Sequence, residues 1–359
     1  MINDDSFERL ARIGLTHHIV ARLAAFQPLP PGVDISLLRV IEAQRDWFTL
    51  HDGERPHHAR VLHRLHQQLL GDQTALTVGD WVLAERSLQQ ELWIGARLPP
   101  MTQIARRAND GRRQPLASNV DTALLAMGLD HDFNPRRAER YVAMAMACGV
   151  APVVVLTKAD IAPDADERIA QVRQRLPDSV PVVAVNGLSG DARTALAPWL
   201  VHGQSLVLLG SSGAGKSTLT NLLAGALQDT GAVRDGDGRG KHTTTARSLH
   251  LCPEGACIID TPGLRTWRPD ADAAALSATF EDVQGLAAQC RFRNCCHRGE
   301  PGCAVRAAVD EDRLLNYQKL LRDAQRAEQT PLGKIAQRQK WKALGKAGSA
   351  RARDKWGEP

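Results

Sequence analysis

Nine residues, GSSGAGKST at 210–218, lie between the apolar stretch SLVLLG and the helical pattern STLTNLLAGAL. Strand, glycine-rich bend and helix in that order leave few folds open. The bend has to carry backbone N–H groups to a helix N-terminus, where the dipole favours negative charge, and this arrangement cradles phosphate. Gly210, Ser211, Ser212, Gly213, Ala214, Gly215, Lys216, Ser217 and Thr218 are therefore candidate nucleotide-binding residues. Lys216 is placed to neutralise the β- and γ-phosphates during transfer, and Ser217 to offer a hydroxyl to Mg²⁺. The plain alternative is a Gly/Ser turn ahead of a helix.

A cradle alone does not separate GTP from ATP. Upstream the chain reads VVVLTKAD, ending at Asp160. A carboxylate at a strand end can accept both the N1 and the exocyclic amino hydrogens of guanine, a pair that adenine lacks. The stem of Lys158 can lie along the purine face. Thr157, Lys158, Ala159 and Asp160 form a candidate base reader, and Asn186, in VNG after the next strand, sits where a loop can add contacts to the base. Downstream, GRGKHTTTARSL carries Thr243, Thr244 and Thr245 in a Gly-rich loop suited to a Mg²⁺-sensing switch, with Thr244 and Thr245 the candidate magnesium residues. ACIIDTPG then places Asp260 at a strand end, where it can hold Mg²⁺ through water, and Gly263 where its N–H can meet the γ-phosphate. Each loop taken singly reads equally as a turn.

The order of these parts is base reader, cradle, switch, DTPG, whereas an ordinary GTPase begins with its cradle. Termini of a compact domain usually lie close together, so joining them and cutting elsewhere preserves the packed sheet. The order implies a circular permutation. Strands alternating with helices from Asn119 to Gly210 imply a mostly parallel sheet covered on both faces. In that run Asn134, Pro135 and Gly149 punctuate one helix.

The rest of the chain adds further units, and 359 residues fit about two or three domains. Residues 1–34 read as a helical extension. Between Ile35 and about residue 100, short strand patterns, HHARVLHRL among them, suit a small Greek-key barrel of the OB type, which binds oligonucleotides; a sandwich fragment is the competitor. ARRANDGRRQP, 105–115, reads as a basic linker. The domain boundaries expected are 1–34 (extension), 35–110 (OB barrel), 111–270 (permuted P-loop domain), 271–332 (metal-binding domain) and 333–359 (basic tail). That tail carries eight Lys/Arg against two acids, although the whole chain has a net charge of only +5, so a polyanion is its expected partner.

A membrane protein is not expected, because no apolar run approaches the roughly 20 residues needed to span a bilayer. MINDDSFERL lacks a secretory signal, so a cytoplasmic location and reduced thiols are expected. Four of the seven cysteines fall within CRFRNCCHRGEPGC at 290–303. Cys290, Cys295, His297 and Cys303 would make a closed Cys₃His set for one structural Zn²⁺, with Cys296 as an alternative ligand.

VGDWV at 78–82, NVD at 119–121, TKAD, GSSGAGKST, HTTT, DTPG and the cysteine cluster together resemble the RsgA family of circularly permuted GTPases. The likeness runs over about residues 35–345. It implies a multidomain α/β protein: an OB-fold barrel, a permuted P-loop GTPase domain and a C-terminal zinc-binding helical domain. It further implies GTP/GDP as ligands and the 30S subunit with its 16S rRNA as partner, with hydrolysis stimulated by the ribosome late in small-subunit assembly; a monomer is expected. The family usually has Asn where Thr157 stands, which puts guanine affinity in question. Leu264 follows Gly263 with no Gln nearby, so intrinsic hydrolysis should be slow. His242 is the candidate for positioning water, a role the likeness supports, and a solvated loop histidine is its competitor. Two other readings remain: a nucleotide-gated RNA-binding module with negligible turnover, and a P-loop ATPase or kinase, disfavoured by Asp160.

Overall fold

The computed structural model describes residues 4–26, 35–44, 47–87, 90–107, 113–186, 189–225, 247–261 and 273–328. Two helices open the chain, α1 (Asp4–Ala11) and α2 (His17–Ala25). Then follow β1 (Ile35–Ala43), β2 (Phe48–His51), β3 (Pro56–Val61), α3 (His63–Gly71), β4 (Trp81–Arg86) and β5 (Leu92–Arg97). These five strands pair in the order β1-β2-β3-β5-β4, and β4 returns to β1, so no edge is left open. The result is a five-stranded OB-like barrel around Leu38, Val40, Leu50, Val82 and Ile94. HHARVLHRL departs from the strand expectation after Val61. Leu65 and Leu69 stand one helical turn apart and are both buried, so the stretch plugs the barrel as α3 rather than extending it. The N-terminal extension packs Leu10, Ile13 and Ile19 against Trp81, Leu83 and Leu98 on the barrel.

The stretch expected as a linker is corrected to a β-hairpin. β6 (Gln103–Arg107) pairs antiparallel with β7 (Arg113–Ser118), and Ile104, Leu116 and Ala117 enter the main core. Burial of this apolar face outweighs the basic character of the stretch. The second half of the chain is β8 (Thr122–Gly128), α4 (Pro135–Ala147), β9 (Ala151–Thr157), α5 (Ala165–Gln174), β10 (Val182–Ala184), α6 (Asp191–Leu196), β11 (Ser205–Gly210), α7 (Lys216–Ala224), β12 (Arg247–Leu251) and β13 (Cys257–Asp260). Strands β10, β9, β8, β11 and β13 run parallel in that spatial order, and β12 closes the row antiparallel. Apolar layers cover both faces, as the near-continuous apolar runs of β8, β9 and β11 require.

β12 also pairs with β1, through Glu42↔Ser248 and Ala43↔Arg247, so barrel and parallel sheet form one continuous eleven-stranded ribbon. Arg39, fully buried, pins the junction: its guanidinium donates to the carbonyls of Ile13 and Asn119 and, at 2.9 Å, to Ser205 Oγ. The C-terminal residues form α8 (Ala273–Thr279), α9 (Glu281–Ala287), α10 (Ala304–Ala308) and α11 (Glu311–Glu328). Their core of Leu276, Phe280, Val283, Val305, Leu314 and Leu320 packs on Ala143 of α4. Among the described residues no helix is long and apolar enough to cross a membrane.

Candidate functional site

The cradle begins where β11 leaves the sheet. At Gly210 an added Cβ would lie 2.3 Å from the Ala126 carbonyl oxygen, so the loop can turn here only without a side chain. Gly215, at φ +82°, is the N-cap of α7 and takes a left-handed conformation that glycine adopts at no steric cost. The loop thus ends on a helix N-terminus whose first N–H groups have no intrahelical acceptor. Lys216 folds back over the loop and donates through Nζ to the Ser211 carbonyl at 2.5 Å. Burial pushes its pKa down, opposed by the carboxylates of Asp260 and Asp132. Asp260, at the end of β13, is pushed up by burial and held back by His250 and Lys216. The cradle therefore pairs a half-buried cation with a half-buried carboxylate, the charge set that a nucleotide phosphate and its divalent cation would complete. Ser217 is exposed on the first turn of α7.

The base reader stands beside it. β9 ends at Thr157, which is buried and donates through Oγ1 to the Ala214 carbonyl of the cradle at 2.9 Å. Gly215 is so close that a Cβ there would meet Thr157 Oγ1 at 3.3 Å. Lys158 has φ +61° and donates through Nζ to Asp130 Oδ2 at 2.7 Å. The Ala159 N–H reaches the Val185 carbonyl at 3.4 Å, tying the reader to the loop that carries Asn186. Asp160 is exposed at the end of this segment. Cradle, reader and Asn186 loop thus meet at the carboxyl ends of neighbouring parallel strands, where ligands bind in open α/β sheets. His242, Thr243, Thr244, Thr245, Gly187 and Gly263 lie outside the described residues.

Sequence reasoning missed the loop LDHDFN, 129–134, between β8 and α4. It was legible only as the entry to a helix, and Asn134 does cap α4 by accepting from the Arg137 N–H at 3.1 Å. Its Asp130 and Asp132 face the two nucleotide motifs. The available signal was positional: acids directly after a buried parallel strand belong to the same crevice.

Cys290, Cys295, His297 and Cys303 come together with all ligand atoms within 4.8 Å of one another. The sulfurs of Cys290 and Cys303 are 3.9 Å apart, and His297 Nδ1 is 3.7 and 3.4 Å from them. Four ligands at tetrahedral angles around Zn²⁺, with Zn–S of about 2.3 Å, would place sulfurs roughly 3.8 Å apart, a spacing compatible with this set. The Val305 and Ala304 N–H groups at the start of α10 lower the Cys290 pKa, favouring the thiolate that a metal needs. Burial instead pushes Cys295 up to about 11. Cys296 is exposed and stands outside this set.

The family model for the RsgA GTPase matches residues 98–269, which hold β6 through β13. The small ribosomal subunit biogenesis GTPase RsgA of Xanthomonas axonopodis pv. citri (strain 306) is 43% identical over 317 residues, 86% of each chain. The protein of that name from Xanthomonas euvesicatoria pv. vesicatoria (strain 85-10) is 46% identical over 277 residues, 75% of each chain. Two crystal structures share the fold. YjeQ from Thermotoga maritima gives a TM-score of 0.60 at 22% identity, covering 81% of this chain and 99% of its own. YloQ, described as a circularly permuted GTPase, gives 0.57 at 19%, covering 84% and 100%. With β9, which ends in TKAD, ahead of β11, which leads into GSSGAGKST, an OB-like barrel before both and a Cys₃His cluster behind, the chain belongs to the RsgA family of GTPases.

Proposed function

We propose that the chain binds GTP between its reader and cradle, hydrolyses it, and uses the nucleotide state to govern docking on the 30S subunit during late assembly. The observation that carries this reading is the Thr157 Oγ1 to Ala214 hydrogen bond, because it ties the strand end that leads to Asp160 to the glycine-rich loop. Asp160 reads guanine, and Lys216 supports transfer of the γ-phosphate. Ser217 and Asp260, with Thr244 and Thr245, would hold the Mg²⁺ that neutralises charge building on the phosphate oxygens. Gly263 meets the γ-phosphate and His242 positions the attacking water. Leu264 supplies no amide for that water, which is why docking on the ribosome is expected to complete the catalytic site. The protein acts as a cytoplasmic monomer, and the Cys₃His cluster holds a structural zinc.

The barrel offers support for rRNA as the partner. A cavity of about 660 Å³ on it is lined by Trp47, His58, Arg60, Glu91 and Trp93, among others. Arg55, His58, Arg60, His63, Arg64 and His66 are all exposed alongside. Aromatic faces stack unpaired bases and guanidinium groups meet phosphates, the usual means of holding single-stranded RNA. The 333–359 tail adds eight further cations.

Multiple-turnover phosphate release with and without purified 30S subunits tests the proposal. Slow release alone and a rise of at least about tenfold with 30S are expected, given the scale of missing catalytic groups supplied in trans. An unchanged rate would uncouple hydrolysis from the particle. Lys216→Ala should abolish tight GTP binding in equilibrium titration, and wild-type affinity would remove the cradle assignment.

A further inference from the structure

We propose that Asp132 is a positioning residue for the phosphate loop, acting through Ser211. Ser211 is the first residue after Gly210, and its Oγ lies 2.6 and 2.7 Å from the two carboxylate oxygens of Asp132, so it donates to that group in any rotamer within reach. The carboxylate is nearly buried, at 9% exposed, and is itself anchored on α4 by Arg137, whose guanidinium is 2.6 Å from Asp132 Oδ1. Gly128 N–H donates to Oδ2 at 3.2 Å. The carbonyl of the same Ser211 accepts the Lys216 ammonium. Asp132 therefore fixes the residue on which Lys216 rests. One residue pair away, Asp130 holds Lys158 of the base reader at 2.7 Å and accepts the Asp132 N–H at 3.1 Å. The 129–134 loop is thus a staple joining the two motifs from behind, set before the nucleotide arrives. Preorganisation of this kind lowers the ordering cost of binding and appears mainly in the release rate.

The inference rests on residues 210–218 being the phosphate cradle. It is tested on the full-length protein with a fluorescent GDP analogue, following release after a chase of unlabelled GDP. Ser211→Ala and Asp132→Ala are each expected to speed release about tenfold, the scale of one hydrogen bond to a charged group. Because the two act as one unit, adding Asp132→Ala in the Ser211→Ala background should change release by less than about threefold. Asp132→Asn keeps an oxygen that can accept from Ser211 and should restore most of the slow release, which a role in general folding or charge would not predict. The ratio of GDP to IDP affinity should stay unchanged in all variants, since guanine is read at the other end of the pocket. Wild-type release by Ser211→Ala, or effects that multiply to about a hundredfold in the double variant, would overturn the proposal. Should Asp132→Ala fail to fold, Ser211→Ala and Asp132→Asn decide the matter alone. Lost GTP affinity in Lys216→Ala together with unaltered release in Ser211→Ala would sink this inference and leave the cradle assignment standing.

Discussion

Thr157 shows how a departure from a pattern can keep its mechanical role. Where the family usually carries an amide, this chain has a hydroxyl with one hydrogen to donate, and that hydrogen reaches the Ala214 carbonyl at 2.9 Å in a buried setting. A single bond is enough to register reader against cradle, because Gly215 already packs on the same side chain. Thr157→Val keeps shape and volume, removes the donor and leaves a buried carbonyl unpaired. GDP affinity should fall about five- to tenfold, the net value of roughly 1 to 1.5 kcal/mol for one hydrogen bond, as read by calorimetric titration. An unaltered affinity would show that packing alone sets the register. Residue types and spacing made Thr157, Asp160, Lys216 and Ser217 candidates in the sequence, because phosphate and guanine each demand a short contiguous motif. Asp130 and Asp132 were not legible, since an acid in a loop acquires meaning only from what faces it.

Among the elements, α4 carries the most connections. Its capping was readable from Asn134, Pro135 and Gly149, and the structure keeps those boundaries. Its burial pattern was not, because Glu139 sits inside with no exposed surface. Its carboxylate accepts from Arg175 Nε at 2.8 Å, from Arg313 at 2.7 Å and from Asn316 Nδ2. Arg313 also grips Asp282 on α9, at 2.7 and 2.9 Å, and stacks over Phe280 at 4.6 Å. These partners lie 36, 174 and 177 positions along the chain from Glu139, far outside any sequence window. The network clasps the C-terminal module to the GTPase sheet. Glu139→Ala would leave Arg313 to Asp282 and Arg175 to Asp312, removing the buried acceptor they share, and should cost about 1.5 to 3 kcal/mol, the scale of hydrogen bonds to a charged group, measured by urea unfolding. A loss under roughly 1 kcal/mol would mean that the arginines find water or other partners.

At the level of the whole molecule, strand pairing and buried polar contacts join three units. The β1–β12 pairing and Arg39 weld barrel to parallel sheet, and the Glu139 network attaches the C-terminal helices. The C-terminal module has a small apolar core, so a metal held by Cys290, Cys295, His297 and Cys303 would add folding free energy there. Cys290→Ser should lower zinc content after dialysis and raise hydrogen exchange across α10 and α11, while β8 to β13 stay protected; unchanged zinc would remove Cys290 from the ligand set. NVD and VGDWV, which read as family markers, prove to be joints. Asn119 Nδ2 donates to the Gly79 carbonyl, Asp121 accepts the Ser205 N–H at 2.7 Å, and buried Asp80 pairs with Arg97 at 2.9 Å. Chain order alone marked the chain as a permuted GTPase with a Cys₃His set compatible with zinc, because phosphate loops and Cys₃His sets are local patterns whose chemistry travels with them. The β6–β7 hairpin, the helix that turns Leu65 and Leu69 onto the barrel core, the clasp at Glu139 and the contacts of Asp132 were settled by packing, since each depends on which distant residues burial forces into contact.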